Sequence, residues 1–318
     1  METFRNMVND CIRIGLANNV SAMKKLCNLA YRQLAKYDIL SYYKLCAISH
    51  AAGILTNRKK SINRGFKPKQ PYARRQLLIS CYGFKIDNGE FRVPIGNERY
   101  FSISLNHHVR KVLSAGHRIR SFILTPDMIS LCYSREVQQL ECTSVAGIDR
   151  NLRNLTVGNS ENVVQYDLSR AVDIAENTRS IMKSFKRNDV RVSKKLYSKY
   201  RIRRKNRIAQ LMHHASMAVV QKAKQEKSAI AFEDICRIRQ LYQRGNGQGR
   251  NYRGMMNSWS FAEIKRLIIY KATWEGVPVV QLSIGETRGT SQLCPRCGKK
   301  ITQVDRKTRQ LWCDQCKR

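Results

Sequence analysis

The sequence predicts a mixed α/β protein, with a helical and a strand-rich segment before an α/β domain and a cysteine-rich C-terminal segment. Near the N-terminus, apolar residues recur at steps of three and four, which is typical of helices. From Leu77 the apolar period changes to two, which is typical of strands. Later, two short apolar runs each end in an acidic residue and are separated by a long helical pattern, which is typical of an α/β domain.

The charge of the chain indicates a polyanionic partner. Lys and Arg number 59 against 23 Asp and Glu, so the formal net charge is +36. Neutralising phosphates releases counterions, which gives a large and salt-sensitive affinity for nucleic acid. No apolar run is long enough to cross a bilayer, so we expect no membrane partner and a cytoplasmic protein. Most cysteines are scattered singly, which fits a reducing compartment.

Residues 1–75 predict a helical segment. Met23, Leu26, Ala30 and Leu34 are spaced as one apolar face of a helix, and we expect them to pack a core. A basic stretch broken by two prolines ends this segment. That stretch could follow a phosphate backbone or be an ordinary exposed linker.

Residues 76–140 predict a small β-barrel or twisted sheet. Asn88 and Gly89 lie between alternating runs, and a tight hairpin turn needs positive φ at both such positions. Further strands are predicted at Tyr100–Leu105, Ile119–Leu124 and Met128–Val137.

Asp149 is the first candidate metal ligand. It ends the short apolar strand predicted at Val145–Ile148, and Asn154–Val157 can return beside that strand. A carboxylate at this position is well placed to hold a hard cation. The plainer interpretation is that Asp149 only forms the turn.

A second acidic residue strengthens the metal hypothesis. The stretch "SAIAFEDI" predicts a buried strand that ends in Glu233 and Asp234. Neighbouring side chains on a strand point to opposite faces, so only one of the two can share a side with Asp149, and we choose Glu233. Two carboxylates converging on Mg²⁺ would form half or more of a two-metal phosphoryl-transfer site. If this strand stood alone, we would interpret Glu233 and Asp234 as an ordinary acidic pair at the exposed end of a strand.

The most basic stretch lies between these two acids. Residues 183–207 hold twelve Lys or Arg and one acid, and they lead into an apolar helical stripe without Pro or Gly. A solvated helix face normally interleaves both signs of charge, so nucleic-acid contact is the better interpretation. The predicted nucleic-acid-binding residues are Lys194, Lys195, Lys199, Arg201, Arg203, Arg204, Lys205 and Arg207.

A further helix and strand complete the predicted α/β domain. Ser260 and Glu263 have the spacing of a capping box, and Gly276 with Pro278 marks the end of the helix. Val279–Leu282 is then one more strand of the same sheet.

The last segment predicts a structural zinc ribbon. Two CxxC pairs separated by fifteen residues have the spacing that a four-thiolate zinc site requires. The predicted ligands are Cys294, Cys297, Cys313 and Cys316. The alternative is four incidental thiols.

Several motifs carry a resemblance to a known family. The stretches "GIDRNLRNL", "AFEDI", "WSFAEIKRLIIYKA", "GVPVVQLS" and "GTSQLCPRCG...WCDQCK" occur in this order. Together they resemble TnpB, the OrfB-type protein of small transposons, which is related to type V CRISPR effectors. The resemblance is strong over residues 140–318. It implies an RNase H-like (RuvC) nuclease domain at 141–290 with an inserted zinc ribbon at 291–318. A helical recognition-like segment at 1–75 and a wedge-like β-barrel at 76–140 would precede it.

The resemblance also implies a function. It indicates a transposon-associated, RNA-guided DNA endonuclease whose partners are a guide RNA and target DNA, and we expect it near the nucleoid. By the same resemblance, Asp149 and Glu233 are the first two catalytic carboxylates and hold Mg²⁺.

Three departures from the family pattern bear on activity. Asn151 stands where the family usually has Gly, and Asn tolerates left-handed geometry. The chain begins among the helices, without the family's opening strand. It ends at Arg318 before the family's third catalytic Asp, for which Asp305 and Asp314 are poor substitutes.

We therefore expect impaired cutting. The alternative is an RNA-guided protein that binds target DNA without cutting it. A basic zinc-ribbon RNA-binding protein is a third possibility, against which the strand contexts of Asp149 and Glu233 argue.

Overall fold

A computed structural model describes most of the chain. The described residues are 1–80, 83–96, 98–159, 161–185, 189–235, 242–243, 245, 247–259, 261–290, 292–294, 296–301, 303–305 and 310–317. They form two compact units, Met1–Glu136 and Val137–Arg318. No helix in these ranges is long and apolar enough to cross a membrane. The four-part division expected from the sequence stays a prediction.

The first unit begins with helices, as the apolar spacing predicts. These are α1 (Glu2–Ala17), α2 (Met23–Ala30) and α3 (Ser41–Asn63). Leu26, Ala30 and Leu34 are fully buried in the core of this unit. Met23 was expected in the same stripe but is 49% exposed, because it lies in the first turn of its helix, at the edge of the core.

The predicted hairpin is present. Strands β2 (Lys85–Asp87) and β3 (Glu90–Gly96) pair antiparallel, and the turn between them has Asn88 at φ 47° and Gly89 at φ 75°. Both turn residues therefore adopt the left-handed conformation that Asn and Gly favour in tight hairpins.

The predicted β-barrel is wrong. The remaining strands of this unit are β1 (Leu77–Ser80), β4 (Arg99–Ser104), β5 (Arg118–Leu124) and β6 (Ile129–Ser134). Among the described residues, β2-β3-β4 and β1-β5-β6 form two separate antiparallel sheets. A helix, α4 (His107–Ser114), lies between β4 and β5 in sequence. Its first turn is capped by the Asn106 carboxamide, which accepts a hydrogen bond from the Val109 amide at 2.9 Å. The helix therefore separates β4 from β5, and the strands do not continue as one antiparallel meander.

The second unit is built on a five-stranded mixed sheet with the order β11-β10-β7-β8-β9. Strands β7 and β10 are parallel, as are β10 and β11, while β8 runs antiparallel to both β7 and β9. This confirms a mixed α/β fold. The strand bounds are β7 Ser144–Arg150, β8 Asn154–Gly158, β9 Val163–Asp167, β10 Ser228–Glu233 and β11 Val279–Leu282.

Helices pack against one face of this sheet. Ile148 and Phe232 are buried there with apolar residues of the long helix that precedes β10 and of the helix that precedes β11. The helices are α5 (Ser169–Lys183), α6 (Tyr197–Gln225), α7 (Arg250–Ser258) and α8 (Phe261–Glu275). The capping residue proposed for the last of these, Ser260, lies outside the described residues.

Gly276 ends helix α8 as predicted. Its φ is 76°, and a Cβ at this position would overlap the carbonyl oxygen of Gln138. Glycine is therefore required both by the backbone conformation and by the close approach of a neighbouring segment.

The C-terminal segment contains a short hairpin. Strands β12 (Gln303–Asp305) and β13 (Gln310–Trp312) pair antiparallel. Residues 306–309, which connect the two strands, lie outside the described ranges.

Candidate metal and nucleic-acid sites

Asp149 and Glu233 end neighbouring parallel strands. The register pairs Ile148 with Phe232, so the acidic residues lie one position further along β7 and β10. Ile148 and Phe232 are buried on the helix-packed face, and side chains alternate along a strand. Asp149 and Glu233 therefore share the opposite face, and both are exposed.

Asp234 does not share that face. Its carboxylate lies 3.4 Å from the ammonium group of Lys265, on helix α8. Its amide donates to the carbonyl of Leu282 at 3.0 Å, which continues the pairing with β11. The geometry thus agrees with choosing Glu233 over Asp234 as the partner of Asp149.

Asn151 holds the Asp149 carboxylate. Its carboxamide nitrogen donates to Asp149 Oδ2 at 2.9 Å and to Asn154 Oδ1 at 3.1 Å. The Asn151 amide also donates to the carbonyl of Asn154 at 3.0 Å, which closes the turn between β7 and β8. Asn151 is not among the residues with positive φ, so the left-handed geometry expected there is not used. Its side chain instead orients the acid.

Arg150 ties the two strand ends together. Its side chain is 6% exposed, its guanidinium donates to the carbonyl of Glu233 at 2.8 Å, and the group lies 5.6 Å from the centre of the Phe232 ring. Burial lowers the pKa of Arg150, while the carboxylates of Glu233, Asp234 and Asp149 act in the opposite direction. The arginine thus brings a positive charge to the buried side of the strand ends that carry Asp149 and Glu233. It also fixes the backbone of Glu233.

The sequence alone did not reveal Arg150 and Asn151 as supporting residues. The one available signal is that Arg150 is two residues after Ile148, so it is expected on the buried face, where a charged side chain needs partners.

The four predicted cysteine ligands come together. Their sulfur atoms all lie within 4.8 Å of one another. The Sγ atoms of Cys294 and Cys316 are 3.8 Å apart, and those of Cys297 and Cys313 are 3.6 Å apart. Both distances exclude a disulfide, whose sulfurs are about 2.05 Å apart. The cluster is consistent with a structural metal site.

Backbone geometry favours the thiolate form of Cys294. Backbone hydrogen bonds from Cys297 and then Arg296 lower the pKa of the Cys294 thiol to about 6. Gly298, at φ 69°, turns the chain here, and its amide donates to the Cys294 carbonyl at 2.9 Å. Such a knuckle presents amides to a sulfur ligand.

The predicted basic residues lie on two consecutive helical segments. Lys194 and Lys195 belong to a π-helical stretch, Val192–Leu196, that runs directly into α6. The other predicted residues are on α6, where Arg204 is half-buried and the rest are exposed: Lys199, Arg201, Arg203, Arg204, Lys205 and Arg207.

The helix divides these residues between two faces. Arg203, Arg204 and Arg207 line a groove of about 440 Å³ between α5 and α6. Lys205 does not line this groove, and its charge contributes to lowering the pKa of Glu263 on helix α8, for which the hydrogen bond with Arg266 is the largest cause. The groove also receives Arg170 from α5, a residue that the sequence did not single out.

Comparisons with known proteins agree with the resemblance predicted from the motifs. Residues 261–318 match the family model described as "Cas12f1-like, TNB domain". A TnpB-like protein of Methanocaldococcus jannaschii is 25% identical over 249 residues, which cover 73% of this chain and 86% of that protein.

A solved structure shares the fold. The protein in the cryo-EM structure of a Cas12f1–sgRNA–target DNA complex aligns with a TM-score of 0.64 at 12% identity. The alignment covers 99% of this chain and 79% of that one. The chain is therefore similar to TnpB and to type V effectors, and it has a mixed α/β fold resembling Cas12f1.

Proposed function

We propose that this chain is an RNA-guided, metal-dependent DNA endonuclease of the transposon-associated TnpB type. One observation carries the proposal. Asp149 and Glu233 extend from the carboxyl ends of two neighbouring parallel strands, on the same exposed face. Such a pair in an RNase H-like (RuvC) nuclease would be two of the metal-binding carboxylates.

The donor set of this edge fits Mg²⁺. Carboxylate oxygens are the protein ligands that Mg²⁺ uses, and both groups are open to a hydrated ion. When bound, Mg²⁺ would activate water and stabilise the leaving oxygen of a phosphodiester. Asn151 would hold the Asp149 carboxylate in one orientation, and Arg150 would fix the strand end that carries Glu233. Both would act as positioning residues.

The partners in this proposal are a guide RNA and target DNA. The support is the net charge of +36 and the exposed basic helix, together with the likeness to a protein solved with sgRNA and target DNA. In the cell such a protein would act at the nucleoid, in the movement or maintenance of a transposon.

The metal of the cysteine cluster would be zinc, in a structural role. A tetrahedral site with Zn–S bonds of about 2.3 Å has sulfur–sulfur edges of about 3.8 Å. Two of the sulfur pairs here, at 3.8 Å and 3.6 Å, match that edge. Four thiolates leave no open position for water or substrate, which is typical of structural zinc.

Cleavage of target DNA by the purified chain with its co-purified RNA tests the proposal. We expect Mg²⁺-dependent cutting that Glu233→Gln reduces to background. Asp234→Asn is the matched control, because it removes the adjacent charge on the other face, and we expect it to retain cutting.

The outcomes separate the two main hypotheses. Cutting that is insensitive to Glu233→Gln would contradict the assignment of this carboxylate. Tight, guided binding to target DNA with no cutting by the wild-type chain would instead favour a DNA-binding protein that does not cleave. The impaired cutting expected above stays a prediction, and the rate of the wild-type chain tests it.

A further inference from the structure

The groove between α5 and α6 has a composition that the metal site does not explain. It is lined by four guanidinium groups, one carboxylate, one tyrosine ring and several smaller side chains. The four arginines are Arg170, Arg203, Arg204 and Arg207. Within the described part of the chain, none of the four guanidinium groups has a hydrogen bond or an ion pair to another protein group. They are available to an external anion.

The one acid in the groove is engaged elsewhere. Asp173 Oδ1 lies 3.5 Å from a guanidinium nitrogen of Arg153, which comes from the turn between β7 and β8. This pair partly offsets the negative charge of Asp173, the one acidic residue among the described residues that line the groove. The net potential in the groove is therefore positive, and a phosphate chain is the polyanion that such a surface favours.

An aromatic cluster lies at one end of the groove. Tyr200 lines it, and the centre of its ring is 5.4 Å from that of Phe185. Phe185 also packs edge-to-face against Tyr197, at 5.4 Å. Basic grooves with adjoining aromatic rings are the common means of holding single-stranded nucleic acid, because phosphates pair with the charges and bases stack on the rings. A volume of about 440 Å³ is in the range that holds one drug-sized group, so about one nucleotide of a strand would lie in the groove at a time.

The other end of the groove lies near the carboxyl ends of strands β7 and β9. Arg170 and Asp173 are in the first turns of α5, directly after β9 ends at Asp167. Residue Asp167 is in register with Asn154, so β9 ends at the same sheet edge as β7. Arg153, which pairs with Asp173, follows Asn151 in the turn that holds Asp149. The groove thus begins beside the acid-bearing turn and runs away from it toward the aromatic cluster.

We infer that the α5–α6 groove binds the phosphate backbone of the single DNA strand that is delivered to Asp149 and Glu233. This rests on the proposed function, because the DNA strand is chosen over the guide RNA only from the continuity of the groove with the proposed cutting edge. The charged contacts come from Arg170, Arg203, Arg204 and Arg207, and Tyr200 offers a ring to a base.

The main test variant replaces two exposed groove arginines, Arg203→Gln with Arg207→Gln. The matched control is Arg201→Gln with Lys205→Gln. It makes the same change of charge on the same helix, at residues that do not line the groove. Thermal unfolding of both variants checks that each is folded, and Arg203→Lys with Arg207→Lys checks that charge carries most of the effect.

The first readout is binding of an oligo(dT) single strand by the RNA-loaded protein as a function of salt. Losing two phosphate contacts lowers the slope of log affinity against log salt by about 1.4, and weakens binding about tenfold near 0.15 M salt. We expect this change in the groove variant and less than half of it in the control, with the lysine variant near wild type. Equal losses in groove and control variants would overturn the groove assignment.

The second readout is the amount of RNA that co-purifies with each variant. We expect the groove variant to retain RNA at the wild-type level while it loses DNA binding. Loss of RNA with unchanged oligo(dT) binding would assign the groove to RNA and overturn the inference. Oligo(dT) binding does not require cutting, so a wild-type chain that binds through the groove but never cleaves would fail the proposed function and leave the groove assignment standing.

Discussion

The cysteine cluster and the carboxylate pair are assembled in opposite ways. The cluster comes from two short turns near the C-terminus and brings together four sulfurs, of which Cys294 and Cys313 are buried. The pair comes from strands that are distant in sequence, and both acids are exposed on a completed sheet. In the cysteine cluster the bound ion would stabilise the local fold. In the carboxylate pair the sheet already positions the ligands before any ion binds. The two regions should therefore respond differently to loss of metal and to mutation.

Removing metal from the cysteine cluster should have the largest effect on stability, and the effect should be confined to the C-terminal segment. Structural zinc contributes about 10–16 kcal/mol in small zinc-binding peptides, and the segment has little other core. We expect a chelator, or Cys294→Ser, to release one zinc per chain and to expose the amides of strands β12 and β13 to hydrogen exchange. Strand β10 should remain protected. Cys132→Ser, at an exposed cysteine outside the cluster, is the control and should keep its zinc.

Truncating Phe232 should have the next largest effect. Phe232 is fully buried beneath the acidic edge, and Phe→Ala substitutions in cores cost about 3–5 kcal/mol. We expect Phe232→Ala to lower the midpoint of urea unfolding while zinc stays bound. Loss of zinc together with the sheet would mean that the two regions unfold as one, which would break the comparison.

Removing Arg150 should lower the free energy of unfolding by less than truncating Phe232 does. It should also weaken metal binding, although Arg150 is not itself a metal ligand. Arg150→Met removes the charged hydrogen-bond donor of the Glu233 carbonyl, which keeps only the Ile235 amide at 3.1 Å, and a hydrogen bond from a charged group contributes about 1.5–3 kcal/mol. Affinity for Mn²⁺, measured by calorimetry, should fall by about tenfold, the lower end for lost outer partners, because the loss of the fixed strand end outweighs the removal of a positive charge. Arg153→Met, at a half-exposed arginine of the turn between β7 and β8, should leave Mn²⁺ affinity unchanged.

Neutralising Glu233 should have the smallest effect on stability. Its side chain is exposed, and surface substitutions away from special features change the free energy of unfolding by about 0.5 kcal/mol or less. We expect Glu233→Gln to unfold at the wild-type urea concentration and yet to lose function. A large loss of stability would mean that the carboxylate is a structural element.

The sequence predicted the locally determined features well. The spacing of the cysteines is enough to define the cluster, and the Asn88-Gly89 pair is enough to define a hairpin, because both depend on a few consecutive residues. The alternation along a strand also predicts that Glu233 and Asp234 lie on different faces, as they do in the structure, while the role of Glu233 stays a prediction. The predicted stripe of α6 also packs in the core, through Met212 and Val219.

Features that depend on contacts between residues far apart in the sequence were harder to predict. The barrel was wrong because alternation identifies strands but not their partners, and α4 interrupts the expected meander. The support given by Arg150 and Asn151 depends on which strand end lies beside which turn. Likewise the basic run of α6 was visible as a whole, but only the packing of α5 divides Arg203 from Lys205.

Mn²⁺ binding tests most directly whether the two distant carboxylates form one metal site. Electron paramagnetic resonance would measure bound Mn²⁺ for the wild-type chain, Asp149→Asn, Glu233→Gln and Asp234→Asn. We predict that the first two variants lose the same bound ion, because Asp149 and Glu233 share it, and that Asp234→Asn keeps it. Equal Mn²⁺ binding by all four proteins would contradict the account.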